Sequence, residues 1–122
     1  MTRSMDTGMA GEEFACGYLV DKGFHIIERN ARAPWGELDI VVVSPDKTLV
    51  FVEVKTVRSD NVLSINPEDE MSASKLTKFK KAAYLYANSH PKLVNEDKGW
   101  RLDVIAITKN GATFLATHYE NV

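Results

Sequence analysis

The sequence is poor in cysteine and in long apolar runs, and each shortage excludes a class of protein. Its 122 residues include one cysteine, Cys16, so an intrachain disulfide cannot form. A chain without disulfides is typical of a reducing compartment, so we expect a cytoplasmic protein. No apolar run reaches the roughly 18 residues that a membrane-spanning helix needs, and the first residues show no apolar signal-peptide core. We therefore expect no membrane association.

Positive charge is not in excess either. The chain has 15 Lys and Arg against 17 Asp and Glu, a formal net charge of -2. Proteins that depend on non-specific DNA affinity are usually basic, so this balance argues mildly against a nucleic-acid partner. A local basic patch can still bind nucleic acid, because salt limits the reach of each charge elsewhere on the protein to roughly 10 Å. The composition is that of one globular domain, 1–122, in which we expect residues 1–8 to form a flexible leader.

Hydrophobic periodicity predicts seven elements in the order α-β-β-β-α-β-β. The turn formers of 44–47 and the Asn110-Gly111 pair predict two tight antiparallel hairpins. Ser72 is placed to cap the second helix. This order predicts an α/β fold, with a mixed central sheet of about five strands flanked by helices. The predicted helices run from residue 9 to Gly23 and from 73 to 88, and the predicted strands cover 24–31, 37–43, 48–56, 101–108 and 112–119.

Acidic residues lie within two neighbouring apolar strands. In the predicted strand TLVFVEVKT, alternation places Glu53 and Lys55 on one face. The preceding strand carries Glu37 and Asp39 within an otherwise apolar run. Burying a charge costs several kcal/mol unless it is paired or bound to a metal. If the hairpin brings Asp39 beside Glu53, the two like charges repel, and a divalent cation is the usual remedy.

The residue types of this cluster indicate a particular chemistry. All candidate ligands are oxygens, which suit Mg²⁺ or Mn²⁺ rather than Zn²⁺. A carboxylate-held cation beside a lysine suits phosphodiester hydrolysis, because the cation lowers the pKa of a bound water and the ammonium steadies the developing charge. The alternative is a solvent-exposed Glu-x-Lys pair, which is common on strands. Asp39 within LDIVVV weakens that alternative, but periodicity alone leaves both open.

Several short motifs occur in a fixed order along the chain: Gly11-Glu12, Gly23-Phe24, Asn30-Ala-Arg32, Gly36-Glu-Leu-Asp39, Phe51-Val-Glu-Val-Lys-Thr56 and Leu102-Asp-Val-Ile-Ala-Ile107. With them the chain resembles the YraN-like family of small bacterial proteins, over 11–107. That family looks like a branch of the restriction-endonuclease-like PD-(D/E)xK nuclease superfamily and is similar to the archaeal Holliday junction resolvases.

The resemblance implies roles for individual residues. Asp39 and Glu53 match the metal-binding positions, and Lys55 matches the catalytic lysine. Glu12 matches a helix glutamate that completes the metal shell, although a glutamate near a helix start is also favoured by the helix dipole alone. Glu37 lies within the family motif and would orient a metal ligand without contacting the metal itself.

Basic side chains around these acids are candidates for nucleic-acid binding. Lys75 matches a basic family position, and Lys78 shares its side of the second helix. Arg32 and Arg58 would extend the patch, and Trp35 could stack on an unpaired base. The alternatives are a solvated helix face for the lysines and ordinary packing for the tryptophan.

The combined expectation is a Mg²⁺- or Mn²⁺-dependent DNA endonuclease that acts on branched or single-stranded DNA by metal-activated water attack. The resemblance to resolvases also makes a homodimer an expectation. A second hypothesis is a nucleic-acid- or protein-binding module that kept the fold without turnover, because one fold hosts many functions. An enzyme acting on a small phosphorylated molecule is less favoured, since the chain has no Gly-rich phosphate loop.

Overall fold

The predicted order of elements is confirmed by a computed structural model, which describes residues 7–33, 36–58 and 72–122, without the side chains at 7, 8, 33, 57 and 58. Element ends differ from the prediction by one or two residues, and the first helix begins inside the expected leader. The remaining positions, Trp35 among them, lie outside the described residues. The elements are α1 (Thr7–Asp21), β1 (His25–Ala33), β2 (Gly36–Val43), β3 (Leu49–Arg58), α2 (Ala73–Ser89), a 3-10 turn (Pro91–Leu93), β4 (Trp100–Asn110) and β5 (Thr113–Tyr119).

The five strands form one mixed sheet in the order β1-β2-β3-β4-β5. Three of the four strand pairs are antiparallel, and β3 and β4 are parallel. A parallel pair needs a crossover connection, which here contains α2. The expected α/β fold with a five-stranded mixed sheet is therefore confirmed. No helix in the described ranges is long and apolar enough to cross a membrane.

Helix α1 covers one face of the sheet. Ala15 and Leu19 are fully buried and pack against alternate residues of the central strands. Cys16 is buried beside them. The strand residues of this cluster are Ile40, Val42, Val50, Val52, Ile105 and Ile107.

Helix α2 covers the opposite face. The Ser72 hydroxyl accepts a hydrogen bond from the Lys75 N–H, which confirms the predicted cap. Phe79, Ala83 and Tyr86 recur at helical spacing and pack around Phe51. Phe51 is fully buried, and burying a side chain of that size contributes roughly 2–3 kcal/mol. The central strands are thus apolar on both faces, so a charged residue within them stands out.

The start of α1 lies very close to the end of β3. A Cβ added to Gly11 would collide with the Thr56 hydroxyl and lie 3.3 Å from Thr56 Cβ. Glycine at position 11 therefore permits a helix-to-strand approach that a side chain would block. This approach sets the position of Glu12, the next residue.

A buried polar cluster joins β4, β5 and the C-terminal segment. Asp103 is fully buried, and its carboxylate accepts hydrogen bonds from Arg101 Nε at 2.9 Å and from the Asn121 N–H at 3.0 Å. His118 Nε2 lies 2.7 Å from the same carboxylate, and its Nδ1 lies 3.2 Å from the Tyr18 hydroxyl of α1. Burial raises the pKa of Asp103, but these hydrogen bonds outweigh it and hold the pKa below its usual range.

Replacing Gly11 by alanine should destabilise the fold by about 1–3 kcal/mol, because the added methyl group overpacks against Thr56. Gly17→Ala is the matched control: no atom lies within 4 Å of its added Cβ, so the better helix former should stabilise α1 by about 0.5–1 kcal/mol. Urea unfolding measures both. Thr56→Ala should partly rescue Gly11→Ala, and equal effects of the two glycine variants would contradict the close approach.

Replacing Asp103 by asparagine should destabilise the fold by about 3 kcal/mol near neutral pH, because Arg101 loses its buried partner. Since folding lowers the pKa of Asp103, its contribution is present above the unfolded pKa of about 4 and is lost as pH falls through the folded value. Urea unfolding from pH 7 to pH 2 should therefore show the two proteins converging in acid. Asp97→Asn, in an exposed turn, is the control and should leave the curve unchanged.

Candidate active site

Strands β2 and β3 separate at the position of the predicted acids. Their pairing runs from Val43 and Leu49 to Ile40 and Val52 and stops there. Both strands continue beyond that point, β2 paired with β1 and β3 paired with β4. The next residue back along β2 is Asp39, and the next along β3 is Glu53. The two acids therefore flank a split in the sheet.

The Asp39 side chain bridges this split. Its Oδ2 accepts a hydrogen bond from the Val54 N–H at 2.9 Å. That donor lies just beyond the last β2–β3 pair, so the carboxylate takes the place of a backbone acceptor. A hydrogen bond to a charged acceptor is stronger than a neutral one and fixes the carboxylate in place. The residue that the sequence marked as a ligand is thus also a structural link between two strands.

Side-chain alternation does not hold through this part of β2. Leu38 packs in the same core cluster as Val41, although residues three apart on a regular strand point to opposite faces. Ile40 packs in the other cluster, under α1. The alternation of side chains between the two faces therefore breaks between Leu38 and Val41. The irregularity coincides with the split, where β2 no longer follows β3.

Asp39 and Glu53 form a hydrogen-bonded acid pair. Burial is the largest cause that raises the pKa of each carboxyl group. The charge of Asp39 and the shared hydrogen bond add to this and bring the pKa of Glu53 to about 7, against the opposing charges of Lys55 and Lys75. A hydrogen bond between two carboxyl groups needs a proton on one of them. Without another cation, the pair therefore holds a proton close to neutral pH.

Glu12 reaches the same region from α1. Burial raises the pKa of its carboxyl group, the charge of Asp39 raises it further, and Arg29 and Asn30 oppose the shift. In the parts of the chain that the structure describes, no three His, Cys, Asp or Glu side chains are gathered as a group that could hold a metal. The structure thus brings Asp39 and Glu53 together and places Glu12 within their electrostatic reach.

The predicted basic residues differ in how close they lie to the acids. The charges of Lys55 and Lys75 both lower the pKa of Glu53, so both lie near it. Lys78 is exposed one turn further along α2. Arg32 is 82% exposed at its side chain and donates to Glu37 at 2.9 Å, which gives Glu37 an ion-pair partner. Of Arg58 the structure describes only the backbone, at the end of β3.

The donors at the split fit a hard divalent cation. Carboxylate oxygens from two strands meet there, with a third carboxylate from α1 in electrostatic reach. Mg²⁺ and Mn²⁺ prefer oxygen donors of this kind. A cation would also compensate the repulsion that otherwise keeps a proton on the pair.

Sequence reasoning gave no role to Asn30, which lies beside these acids. Its side chain lowers the pKa of the Glu12 carboxyl group, and its backbone has φ +52° within β1. The signal that could have identified it is weak: asparagine is disfavoured in strands and is among the residues that tolerate positive φ.

Comparisons with known proteins match the chain to one family. The family described as uncharacterised protein family UPF0102 matches residues 11–107. A UPF0102 protein of Syntrophomonas wolfei is 43% identical over 102 residues, which are 84% of each chain. Another, from Corynebacterium efficiens, is 32% identical over 123 residues, covering 99% of this chain and 94% of the relative. A repair endonuclease from Pyrococcus abyssi superposes with TM-score 0.41 and 17% identity, over 92% of this chain and 42% of that one.

Metal-free protein should lose stability as pH rises from about 5 to 8. Because folding raises the pKa of Glu53 from 4.5 to about 7, folding disfavours the ionised form, and the penalty grows between the unfolded and folded values. Urea unfolding in EDTA across this range measures the decline. Glu53→Gln should flatten it, whereas Glu96→Gln, in an exposed turn, should not. An unchanged slope in Glu53→Gln would show that the acid pair does not form.

Proposed function

The chain belongs to the uncharacterised protein family UPF0102, which confirms the resemblance to the YraN-like family, and we propose that it is a divalent-metal-dependent DNA endonuclease. The observation that carries this proposal is the acid pair at the split between β2 and β3, with Lys55 beside it. Two adjacent carboxylates lie among apolar strands, and the Val54 N–H holds that of Asp39 in place. With an ammonium group beside them, they form an arrangement suited to a hard cation and a phosphate.

Each residue of the cluster has a distinct task in this proposal. Asp39 and Glu53 would hold Mg²⁺ or Mn²⁺, with Glu12 as a third carboxylate. Such an ion, when bound, supplies a Lewis acid for a phosphoryl oxygen and lowers the pKa of a water. The Val54 N–H keeps the Asp39 carboxylate oriented. Lys55 places a positive charge where negative charge develops on the phosphate, which stabilises the transition state.

The start of α2 supports phosphate binding beside the acids. Lys75 lies near Glu53, and Lys78 follows three residues later on the same side of the helix. The positive end of the helix dipole lies at this terminus. These features give a net acidic chain a local basic surface next to its acid pair. Helix α2 thus provides a phosphate contact independent of the metal ligands.

Arg32 and Arg58 extend this surface in the proposal. The Arg32–Glu37 ion pair is largely exposed, and such pairs stabilise a fold by about 0–1 kcal/mol. Arg32 could therefore exchange Glu37 for a phosphate at little cost. Branched or single-stranded DNA as the substrate, and a homodimer as the active species, follow from the resemblance to the resolvases and belong to the proposal.

A second candidate function is a binding module that retains the acid pair without turnover. One observation favours it: in the described residues, the carboxylates do not form a ready three-ligand group. The net charge of -2 agrees with weak affinity for nucleic acid in the absence of a partner. Such a module would bind DNA or a protein through the same surface and leave phosphodiesters intact.

Cleavage of labelled branched and single-stranded DNA with Mn²⁺ or Mg²⁺ tests the proposal. Asp39→Asn and Glu53→Gln should each lower the rate at least a hundredfold, because each removes a charged ligand, and calorimetry should show loss of Mn²⁺ binding. Lys55→Met should lower the rate while Mn²⁺ binding persists. Asp46→Asn, in the β2–β3 turn, is the control and should retain both properties.

The two candidate functions give different results in the same assay. The binding module would be supported if the protein binds DNA but cleaves it with neither cation. That binding should weaken steeply with salt and should be insensitive to Asp39→Asn. If the protein binds neither Mn²⁺ nor Mg²⁺, the endonuclease proposal is contradicted. If the protein shows no salt-dependent binding to DNA, a protein partner would be favoured instead.

A further inference from the structure

Strand β1 contains a residue with a backbone conformation that strands do not use. Asn30 has φ +52°, in the left-handed region. A non-glycine residue held there costs on the order of 1–3 kcal/mol, and asparagine is among the residues that tolerate it best. The other non-glycine residues with positive φ in the described chain, Lys47 and Asn121, lie outside the strands.

Asn30 lies at the level of the split in the sheet. In the β1–β2 ladder, Arg29 pairs with Ile40 and Ala31 pairs with Leu38. Asn30 therefore stands opposite Asp39, the residue at which β2 leaves β3. The irregular backbone of β1 and the irregular alternation of β2 thus occur at the same position of the ladder.

Two consecutive residues of β1 lie beside two consecutive residues of α1. Arg29 donates to Glu13 at 2.9 Å, and the next residue, Asn30, lies close enough to Glu12 for its side chain to lower the pKa of that carboxyl group. On a regular strand consecutive side chains point to opposite faces, so only one of them could reach a helix on one face. The left-handed backbone at Asn30 breaks this alternation. The left-handed backbone therefore allows Asn30 to face the same helix as Arg29.

We propose that Asn30 is a positioning residue of the acid cluster. Its left-handed backbone turns the amide toward α1, and the amide holds the Glu12 carboxylate facing Asp39. This inference rests on the proposed function for its purpose, because a third carboxylate held there would join Asp39 and Glu53 around a divalent cation. Asn30 itself would act on Glu12 and would not contact the substrate.

The contact can be tested without any metal. In EDTA, a double-mutant cycle compares Asn30→Gly, Glu12→Ala and the double variant by urea unfolding. Glycine keeps the left-handed backbone and removes only the amide. The unfolding equilibrium constant of the double variant should differ from the product of the single effects by about threefold or more. Strictly multiplicative effects would overturn the inference.

Mn²⁺ calorimetry then tests the purpose of the contact. Asn30→Gly should weaken Mn²⁺ binding about tenfold, as expected when a group that orients a ligand is lost. Lys47→Gly is the matched control: it also relieves a positive φ, but in the turn between β2 and β3, and it should leave Mn²⁺ binding unchanged. Wild-type affinity in Asn30→Gly would overturn the positioning role.

The two readouts separate this inference from the proposed function. If the wild-type protein binds no Mn²⁺, the endonuclease proposal fails, while coupling between Asn30 and Glu12 still supports the positioning of that carboxylate. If the wild type binds Mn²⁺ and the cycle shows no coupling, the endonuclease proposal stands and the role of Asn30 is overturned.

Discussion

The hydrogen bond from the Val54 N–H to the Asp39 carboxylate joins two strands where their backbones separate. A sheet that splits leaves backbone donors without their regular acceptors, and buried donors of this kind are costly. A carboxylate satisfies the donor and at the same time brings a negative charge into the split. A proton or a cation must then compensate that charge, because Glu53 lies beside Asp39; Lys55 and Lys75 in turn lie near Glu53.

The cluster draws on both layers that cover the sheet. Glu12 comes from α1 on one face, and Lys75 comes from α2 on the other. At the split, Glu12 of α1 approaches Asp39 and Lys75 of α2 approaches Glu53. The close contact of Gly11 with Thr56 brings the first turns of α1 to that place, and the Ser72 cap fixes the start of α2 beside it. Acidic and basic groups thus approach the split from opposite sides.

Much of this arrangement follows from local patterns in the sequence. Alternation in 48–56 separated Glu53 and Lys55 from the valines of β3, and the short turn before that strand predicted the hairpin that brings Asp39 close. The departures depend on tertiary contacts that no local pattern encodes. Leu38 leaves the alternation because β2 parts from β3, and Asn30 adopts positive φ opposite that point. In the sequence, Asp103 is only an acid within an apolar strand. Its role in a buried polar cluster becomes evident from its contacts with Arg101 and His118.

The single parallel pair in the sheet also determines the order in which the chain can assemble. The hairpins β2–β3 and β4–β5 close over short loops, whereas Leu49 meets Trp100 only after the crossover through α2 has been traversed. Local contacts form quickly, and pairings between distant segments are slower because loop closure costs entropy first. The two acids belong to a hairpin that closes over a short loop, whereas Lys75 belongs to α2, within the long crossover between β3 and β4. The part of the site that holds both carboxylates is therefore local in sequence, whereas the approach of Lys75 to Glu53 depends on pairing between distant segments.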